Sequence, residues 1–256
     1  MKDMFSLQDR VAIVTGGNRG IGLGIARGFA EAGSHIVIAA RDQAKTAEAA
    51  KEIIDEFGVR VLGLQVDVLH EDQIQAAAEQ TQGEFGRIDI LVNNAGICIA
   101  EQPQDHTTED WDQALGINLR GPFLWSKMVY PTMKAAHGGK IINIGSMYSL
   151  FGQDWSASYG ASKGGIVQLT RSLAVAWAPD NIQVNAILPG WINTDMTRQG
   201  REQFPEMEER IISGTPADRW GEPEDLAGAA LLLASRASDF ITGTTIAVDG
   251  GYSICA

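Results

Sequence analysis

The 256-residue chain carries 32 acidic and 20 basic residues, a formal net charge of −12. That sign argues against nucleic acid or an anionic membrane as the main partner, though it leaves room for a local basic pocket. At 45% hydrophobic composition the chain can bury a large core, and its 29 glycines follow no period, which excludes collagen-like and low-complexity readings.

In chain order, the first ten residues contain no apolar signal core. Short apolar runs rich in β-branched residues follow at 11–15, 35–39, 61–65, 90–93, 141–144, 182–187 and 245–248. Between them lie segments with helical periodicity at 21–32, 44–57, 71–85, 109–134, 159–178 and 223–233. Thr107-Thr108-Glu109-Asp110 reads as a capping box, and Pro223 suits a first helical position. Near-continuous apolar strands alternating with helices predict a parallel sheet covered on both faces. The expectation is one doubly wound α/β domain over 1–256 with seven parallel strands and no internal repeat. The segment 191–220 breaks this rhythm with Arg198, Arg201, Glu202, Glu206, Glu208, Glu209 and Arg210. Two readings stand side by side: a substrate lid inserted late in the fold, or a solvated helical excursion.

The longest apolar stretch near the C-terminus, 226–234, is far too short to span a bilayer. Cys98 and Cys255 make neither a metal spacing nor a disulfide framework, which suits a reducing compartment and a cytoplasmic location. His35, His70, His106 and His137 are scattered, so no metal is expected.

The first strand runs directly into Thr15-Gly16-Gly17-Asn18-Arg19-Gly20-Ile21-Gly22. Glycines at 16, 20 and 22 allow a sharp turn and close approach to a pyrophosphate, and the following helix offers its N-terminal amides. No Gly-Lys-Ser/Thr follows, which excludes a Walker loop. The second strand closes with Ala39-Ala40-Arg41-Asp42. Arg41 is placed to meet a 2′-phosphate, with help from Arg19, so NADP(H) is expected over NAD(H). Asp42 is the counter-evidence, because it binds ribose hydroxyls instead if it turns inward.

Tyr159 and Lys163 are four residues apart, hence on one helical face, and Ser146 lies thirteen residues earlier. A nearby ammonium favours the phenolate and moves a tyrosine pKa of about 10 toward neutrality. Taken alone, Tyr-x-x-x-Lys is better explained by an amphipathic tyrosine beside a solvated lysine.

Thr15-Gly16-x-x-x-Gly20-Ile21-Gly22, Asp67-Val68, Asn93-Asn94-Ala95-Gly96, Asn118, Ser146, Tyr159-x-x-x-Lys163 and Pro189-Gly190 occur in this order over essentially the whole chain. In that arrangement the sequence resembles the classical short-chain dehydrogenase/reductase family, a single-domain Rossmann fold. The resemblance implies a catalytic set of Asn118, Ser146, Tyr159 and Lys163. Tyr159 would be the general acid in carbonyl reduction and the base in alcohol oxidation. Lys163 would lower its pKa and bind the nicotinamide ribose. Ser146 would hold the substrate oxygen, and Asn118 would support a water linking Lys163 to solvent; a kink-filling role in a long helix is the alternative for Asn118. Cofactor contacts would come from Gly16, Asn18, Arg19, Gly20, Ile21, Arg41, Asp67, Val68, Asn93, Ala95, Gly96, Tyr159 and Lys163. Pro189, Gly190, Ile192 and Thr194 would line the nicotinamide, whereas Asn94 would stabilise the sheet. Trp191 and Asn193 depart from the commonest wording of that segment.

For the substrate the resemblance points to Ser146, Tyr148, Trp155, Tyr159 and Trp191, which make an aromatic-walled cleft. Interface or core packing is the competing explanation for these aromatics. The expected reaction is hydride transfer between NADP(H) and a small-molecule ketone or secondary alcohol. An NAD-linked sugar or polyol dehydrogenase and a 3-oxoacyl-thioester reductase remain alternatives. The last is disfavoured because the surface around Val129, Tyr130 and Val175 reads as uncharged. A nicotinamide-binding regulator without chemistry is the rival from another class; such proteins lose the tyrosine, lysine or serine that this chain keeps. The resemblance further implies a homotetramer built on the Asn118 and Tyr159 helices and the strand at 244–251.

Overall fold

The computed structural model describes residues 4–204 and 206–255. Among them, β1 (Val11–Thr15), β2 (His35–Ala40), β3 (Val61–Gln65), β4 (Ile90–Asn93), β5 (Gly139–Ile144), β6 (Ile182–Pro189) and β7 (Thr245–Val248) form one sheet. Every pairing is parallel, and the order is β3-β2-β1-β4-β5-β6-β7. The helices are α1 (Gly20–Glu31), α2 (Gln43–Phe57), α3 (Glu71–Phe85), α4 (Thr108–Leu115), α5 (Gly121–Ala135), α6 (Ala157–Trp177), α7 (Asp195–Gln203), α8 (Glu206–Ser213) and α9 (Ala227–Ala234).

The strands have period two, so alternate residues feed opposite faces. Ala12, Val14, Ile36, Ile38, Ile90 and Val92 pack with Ile25 and Phe29 of α1, Ile53 of α2 and Leu233 of α9. Val11, Ile13, Val37, Ala39 and Leu91 pack on the other face with Ile74 of α3, Trp125 and Val129 of α5 and Leu173 of α6. Each fully buried Leu, Ile or Phe contributes about 1.5–3 kcal/mol, which is why two covered faces hold the sheet. After β3 the chain crosses to the other side of β1. The strand order therefore reverses between β1 and β4, and a crevice opens at their carboxyl ends.

The helix expected over 109–134 is two helices joined by a wide turn at Gly116–Arg120, where the Gly121 amide reaches back to the Gly116 carbonyl. Pro122 supplies the reason: without an N–H it cannot bond the Asn118 carbonyl, so a regular ladder cannot run through this point. Over 223–233 the structure has a tight 3₁₀ turn at Pro223–Leu226 followed by α9. The excursion at 191–220 leaves and re-enters at one place, because the Gly221 amide donates to the Trp191 carbonyl at 2.9 Å and the Asn193 amide to the Gly221 carbonyl at 2.8 Å. It carries α7 and α8 and has a small core of its own, in which Met207, Ile211 and Trp220 pack with Trp191. Among the described residues no helix is long and apolar enough to cross a membrane.

Candidate active site

The crevice at the β1–β4 switch is a cleft of about 830 Å³. At one end the glycine loop turns through Gly16 (φ +63°) and Gly20 (φ +50°), a left-handed backbone that favours glycine. A Cβ at Gly22 would sit 2.4 Å from both the Gly16 carbonyl oxygen and Asn94 Nδ2, so α1 and the loop are packed backbone to backbone. Asn94 ties this loop to β4, since its Nδ2 donates to the Thr15 carbonyl at 2.9 Å. Thr15 Oγ1 accepts the amides of Asn94 and Ala95 at 2.9 and 3.0 Å. The Asn18 amide group donates to Thr46 Oγ1 at 3.1 Å, linking the loop to the start of α2.

Three exposed cations, Arg19, Arg41 and Lys45, line this end. The Asp42 carboxylate, the counter-evidence in the sequence, is the N-cap of α2 and accepts the Lys45 amide at 3.1 Å. Capping gives the acid a local partner. Across the cleft, Asp195 at the start of α7 lies 3.7 Å from Arg19. Arg198, and behind it Arg19 and Lys45, hold its carboxyl below the usual range.

At the other end α6 presents Tyr159 and Lys163 beside Ser146, all three on the cleft wall. Ser146 opens a 3₁₀ turn at Met147–Ser149, where its Oγ accepts the Tyr148 amide at 3.2 Å. Ser149 Oγ donates to the Lys163 carbonyl at 2.7 Å and so fixes that turn to α6. Lys163 is 4% exposed, and its Nζ donates to the Ile144 carbonyl at 2.8 Å. Burial lowers this ammonium to about 8. Burial also dominates Tyr159 and pushes its phenol above the ordinary tyrosine value, against a smaller opposing effect of the Ser146 hydroxyl. The sequence argument expected Lys163 to lower the phenol. In the structure Nζ stands 5.6 Å from the ring centroid and is committed to a backbone carbonyl, so desolvation wins. Cys98 completes the wall; its Sγ is 3.6 Å from Ser156 Oγ, and burial raises its thiol.

Most residues singled out in the sequence meet in this one cleft. Gly16, Asn18, Arg19, Gly20, Ile21, Arg41, Asp67, Val68, Ala95 and Gly96 line it, as do Ser146, Tyr159, Lys163, Pro189, Gly190, Ile192 and Thr194. Asn93 does not. It is 3% exposed inside the sheet, and its Nδ2 donates to Asn143 Oδ1 at 2.8 Å and Ser126 Oγ at 3.2 Å. Its neighbour Asn94 lines the cleft, and its Nδ2 also braces the end of β1 against β4 as the sequence reading expected, because one residue further along the chain changes face.

Asn118 stands just behind the wall. Its Oδ1 accepts the Ile97 amide at 2.9 Å, and its Nδ2 donates to the Ile97 carbonyl at 2.9 Å and to Ser162 Oγ at 3.0 Å. Tyr148 and Trp191 lie beside the cleft rather than in its lining, and Trp155 sits where its carbonyl accepts the Glu101 amide. The sequence reading missed Lys45, Ile97, Cys98, Asp195, Met196 and Thr197, all of which line the cleft. Lys45, one turn after Arg41, and Cys98, two residues after Gly96, were within reach of a spacing argument; Met196 carried no signal. The surface thought uncharged also differs: Val129 is fully buried, and the Tyr130 hydroxyl donates to Asp180 at 2.7 Å while Lys134 pairs with the same carboxylate at 3.2 Å.

The donor set fits a dinucleotide. The glycine loop would leave no Cβ between the backbone and a pyrophosphate, and Asp67, Val68 and the cations line the cleft where an adenosine and its sugar would lie. Among the described residues no group of three or more His, Cys, Asp or Glu comes together as a metal site.

Comparison with known proteins points the same way. Residues 16–253 match a family model described as enoyl-(acyl carrier protein) reductase. The chain is 43% identical over 250 residues to a 2-dehydro-3-deoxy-D-gluconate 5-dehydrogenase of Dickeya dadantii, covering 97% of both. It is 38% identical over 252 residues to an NAD-dependent glycerol dehydrogenase of Listeria innocua, covering 98% of this chain and 96% of that protein. It superposes with a TM-score of 0.95 and 40% identity on the crystal structure of a gluconate 5-dehydrogenase from Burkholderia cenocepacia in complex with NADP and tartrate, covering 100% of this chain and 99% of that one. The chain belongs to the short-chain dehydrogenase/reductase family, and it is an oxidoreductase that works with a nicotinamide cofactor.

Proposed function

We propose that this chain interconverts a secondary alcohol and a ketone on a small polyhydroxylated molecule, with NADP(H) preferred over NAD(H). One observation carries the reading: Ser146, Tyr159 and Lys163 share the wall of a cleft whose far end is a glycine loop flanked by Arg19, Arg41 and Lys45. The bound nicotinamide would supply or accept the hydride. Tyr159 holds the proton at its phenolic oxygen, where burial keeps it in place at neutral pH, ready for an oxygen that gains charge during reduction. Ser146 Oγ would orient that oxygen against the phenol. Lys163, anchored on Ile144, places a cation near the ribose side of the cleft, and Asn118 braces the loop that carries Gly96 and Ile97. Gly96 has no side chain to intrude; a Cβ there would come within 3.3 Å of Asn118 Oδ1 and 3.6 Å of Lys163 Nζ.

The preference for NADP(H) is supported by the three cations at the sugar end and by the Asp42 carboxylate being engaged as the cap of α2, although Asp42 also lines the cleft. The polyhydroxylated substrate class is supported by the sugar-acid and glycerol dehydrogenases among the relatives. Trp191, Tyr148 and Trp155 would shape the substrate side, with the segment 191–220 as its lid. Assembly as a homotetramer through α5, α6 and β7 is supported by exposed Phe123, Val175 and Phe240 and by the edge position of β7; native mass spectrometry reads it directly. The free cysteines suit a cytoplasmic enzyme.

The reaction is tested with a panel of ketoses, keto acids, polyols and sugar acids against both cofactors, following the absorbance of reduced nicotinamide. Turnover with NADPH or NADP⁺ at higher kcat/KM than with the NAD pair is expected. Tight cofactor binding without turnover of any member would count against the reading.

A further inference from the structure

We infer that Asp195 is a discriminating residue for the cofactor: its carboxylate competes with the 2′-phosphate of NADP(H) for the Arg19 guanidinium, and so holds the NADP(H) preference below what the cations of the cleft could give. The inference rests on the proposed NADP(H) preference and names a residue that limits it.

Three acids, Asp42, Asp67 and Asp195, line the cleft together with Arg19, Arg41 and Lys45. Two of the acids are engaged locally. The Asp42 carboxylate accepts the Lys45 amide at 3.1 Å as the cap of α2, and Asp67 Oδ1 accepts the Leu69 amide at 3.0 Å. Among the described residues, Asp195 is the one acid that pairs with any of these three cations, its Oδ2 lying 3.7 Å from Arg19 Nη1. The pair joins two elements where they already approach each other. Arg19 precedes α1 in the glycine loop, Asp195 begins α7, and a Cβ at Gly20 would come within 3.3 Å of Thr194 Cγ2. The start of α7 is fixed, because Thr194 and Thr197 cap it reciprocally and Thr197 Oγ1 donates to the Ile192 carbonyl at 2.6 Å. The carboxylate is therefore held opposite the glycine loop by its own element and not by Arg19.

The two cationic contacts of Asp195 are unequal. Its Oδ1 accepts a charge-assisted hydrogen bond from Arg198 at 2.5 Å, whereas the 3.7 Å approach of Arg19 is too long for one. Among the described residues, the Arg19 side chain has no other ion pair and no hydrogen bond. A phosphate can take Arg19 while Asp195 keeps Arg198. That exchange breaks the Arg19 pair and leaves a carboxylate facing a dianion, and both effects disfavour NADP(H). NAD(H) carries no 2′-phosphate and is spared them. The Arg19 and Asp195 side chains are 59% and 45% exposed, so the effect is modest and is screened by salt.

The test is calorimetric titration of NADPH and NADH at low and high salt. It covers the wild type, Asp195→Asn, Asp195→Glu, Arg19→Gln, the double variant Arg19→Gln/Asp195→Asn, and Glu202→Gln as an exposed charge control on the same helix. Asp195→Asn is expected to tighten NADPH about three- to tenfold at low salt, to change NADH less than about twofold, and to lose most of its gain at high salt. Asp195→Glu should keep most of the wild-type ratio of the two affinities, and Glu202→Gln should leave that ratio unchanged. With Arg19→Gln in place, adding Asp195→Asn should shift NADPH less than about twofold. Weaker NADPH binding in Asp195→Asn, equal tightening of both cofactors, or the same gain in the Arg19→Gln background would each overturn the assignment. Fraying of α7 would weaken both cofactors alike and so cannot imitate the expected result. A wild type that binds NADH more tightly than NADPH sinks the proposed preference, while an Arg19-dependent gain in NADPH affinity would still uphold the role of Asp195.

Discussion

The two ends of the cleft are built on opposite physical principles. At the phosphate end the shape comes from backbone, through Gly16, Gly20 and a packed Gly22, and the charge comes from the exposed side chains Arg19, Arg41 and Lys45. At the catalytic end the shape comes from side chains, and the ionisable groups Tyr159, Lys163 and Cys98 are shifted chiefly by burial. Exposed charge attracts an anion over distance yet is screened by salt, whereas a desolvated group responds to single contacts and to pH. In the proposed reaction, one fold would thus gather the cofactor with solvated charge and do chemistry with buried groups.

That contrast can be broken most severely at Tyr159. Tyr159→Phe removes the proton carrier and is expected to lower kcat at least a thousandfold, roughly 4 kcal/mol in barrier. NADPH affinity, measured by fluorescence titration, should change less than about tenfold because the phosphate end is untouched. A loss of affinity as large as the loss of rate would mean the two ends are not separable.

Lys163 comes next. Its ammonium falls from 10.5 to about 8 on folding, so below pH 8 the folded protein carries a buried charge that the unfolded chain keeps solvated. The unfolded chain binds the extra proton between the two values, so stability from this group rises with pH through that window. The full penalty is on the order of 3 kcal/mol, against about 1 kcal/mol recovered by the bond to Ile144. Lys163→Met is therefore expected to be more stable than wild type at pH 7, by roughly 1–2 kcal/mol, and to lose that advantage by about pH 10. Denaturant unfolding across this range checks it, and a variant less stable than wild type at pH 7 would contradict the burial argument.

The last test belongs to the solvated end. Arg41→Asp should weaken NADPH binding about ten- to a hundredfold, or roughly 1.4–2.8 kcal/mol, while NADH binding holds or improves. The NADPH affinity of the wild type should fall more steeply with salt than that of the variant. Unchanged NADPH binding in Arg41→Asp would show that Arg41 does not carry the discrimination.

Much of this molecule was legible in the chain itself, for reasons that are local. Strand and helix periods depend on neighbours two to four residues away, so the parallel doubly wound sheet followed from runs such as Val11–Thr15 and Ile90–Asn93. The glycine loop follows from positive φ, a property of single residues, and Tyr159 with Lys163 from the pitch of one helix. Folding decided what depends on residues far apart in sequence. Asn93 or Asn94 faces the cleft according to strand register, the Asp42 carboxylate is engaged as the cap of α2, and Pro122 interrupts the expected long helix at Asn118. Burial sets the direction of the Tyr159 and Lys163 shifts. A dielectric and a long-range contact exist only once the chain has packed, and no spacing rule along the sequence encodes either.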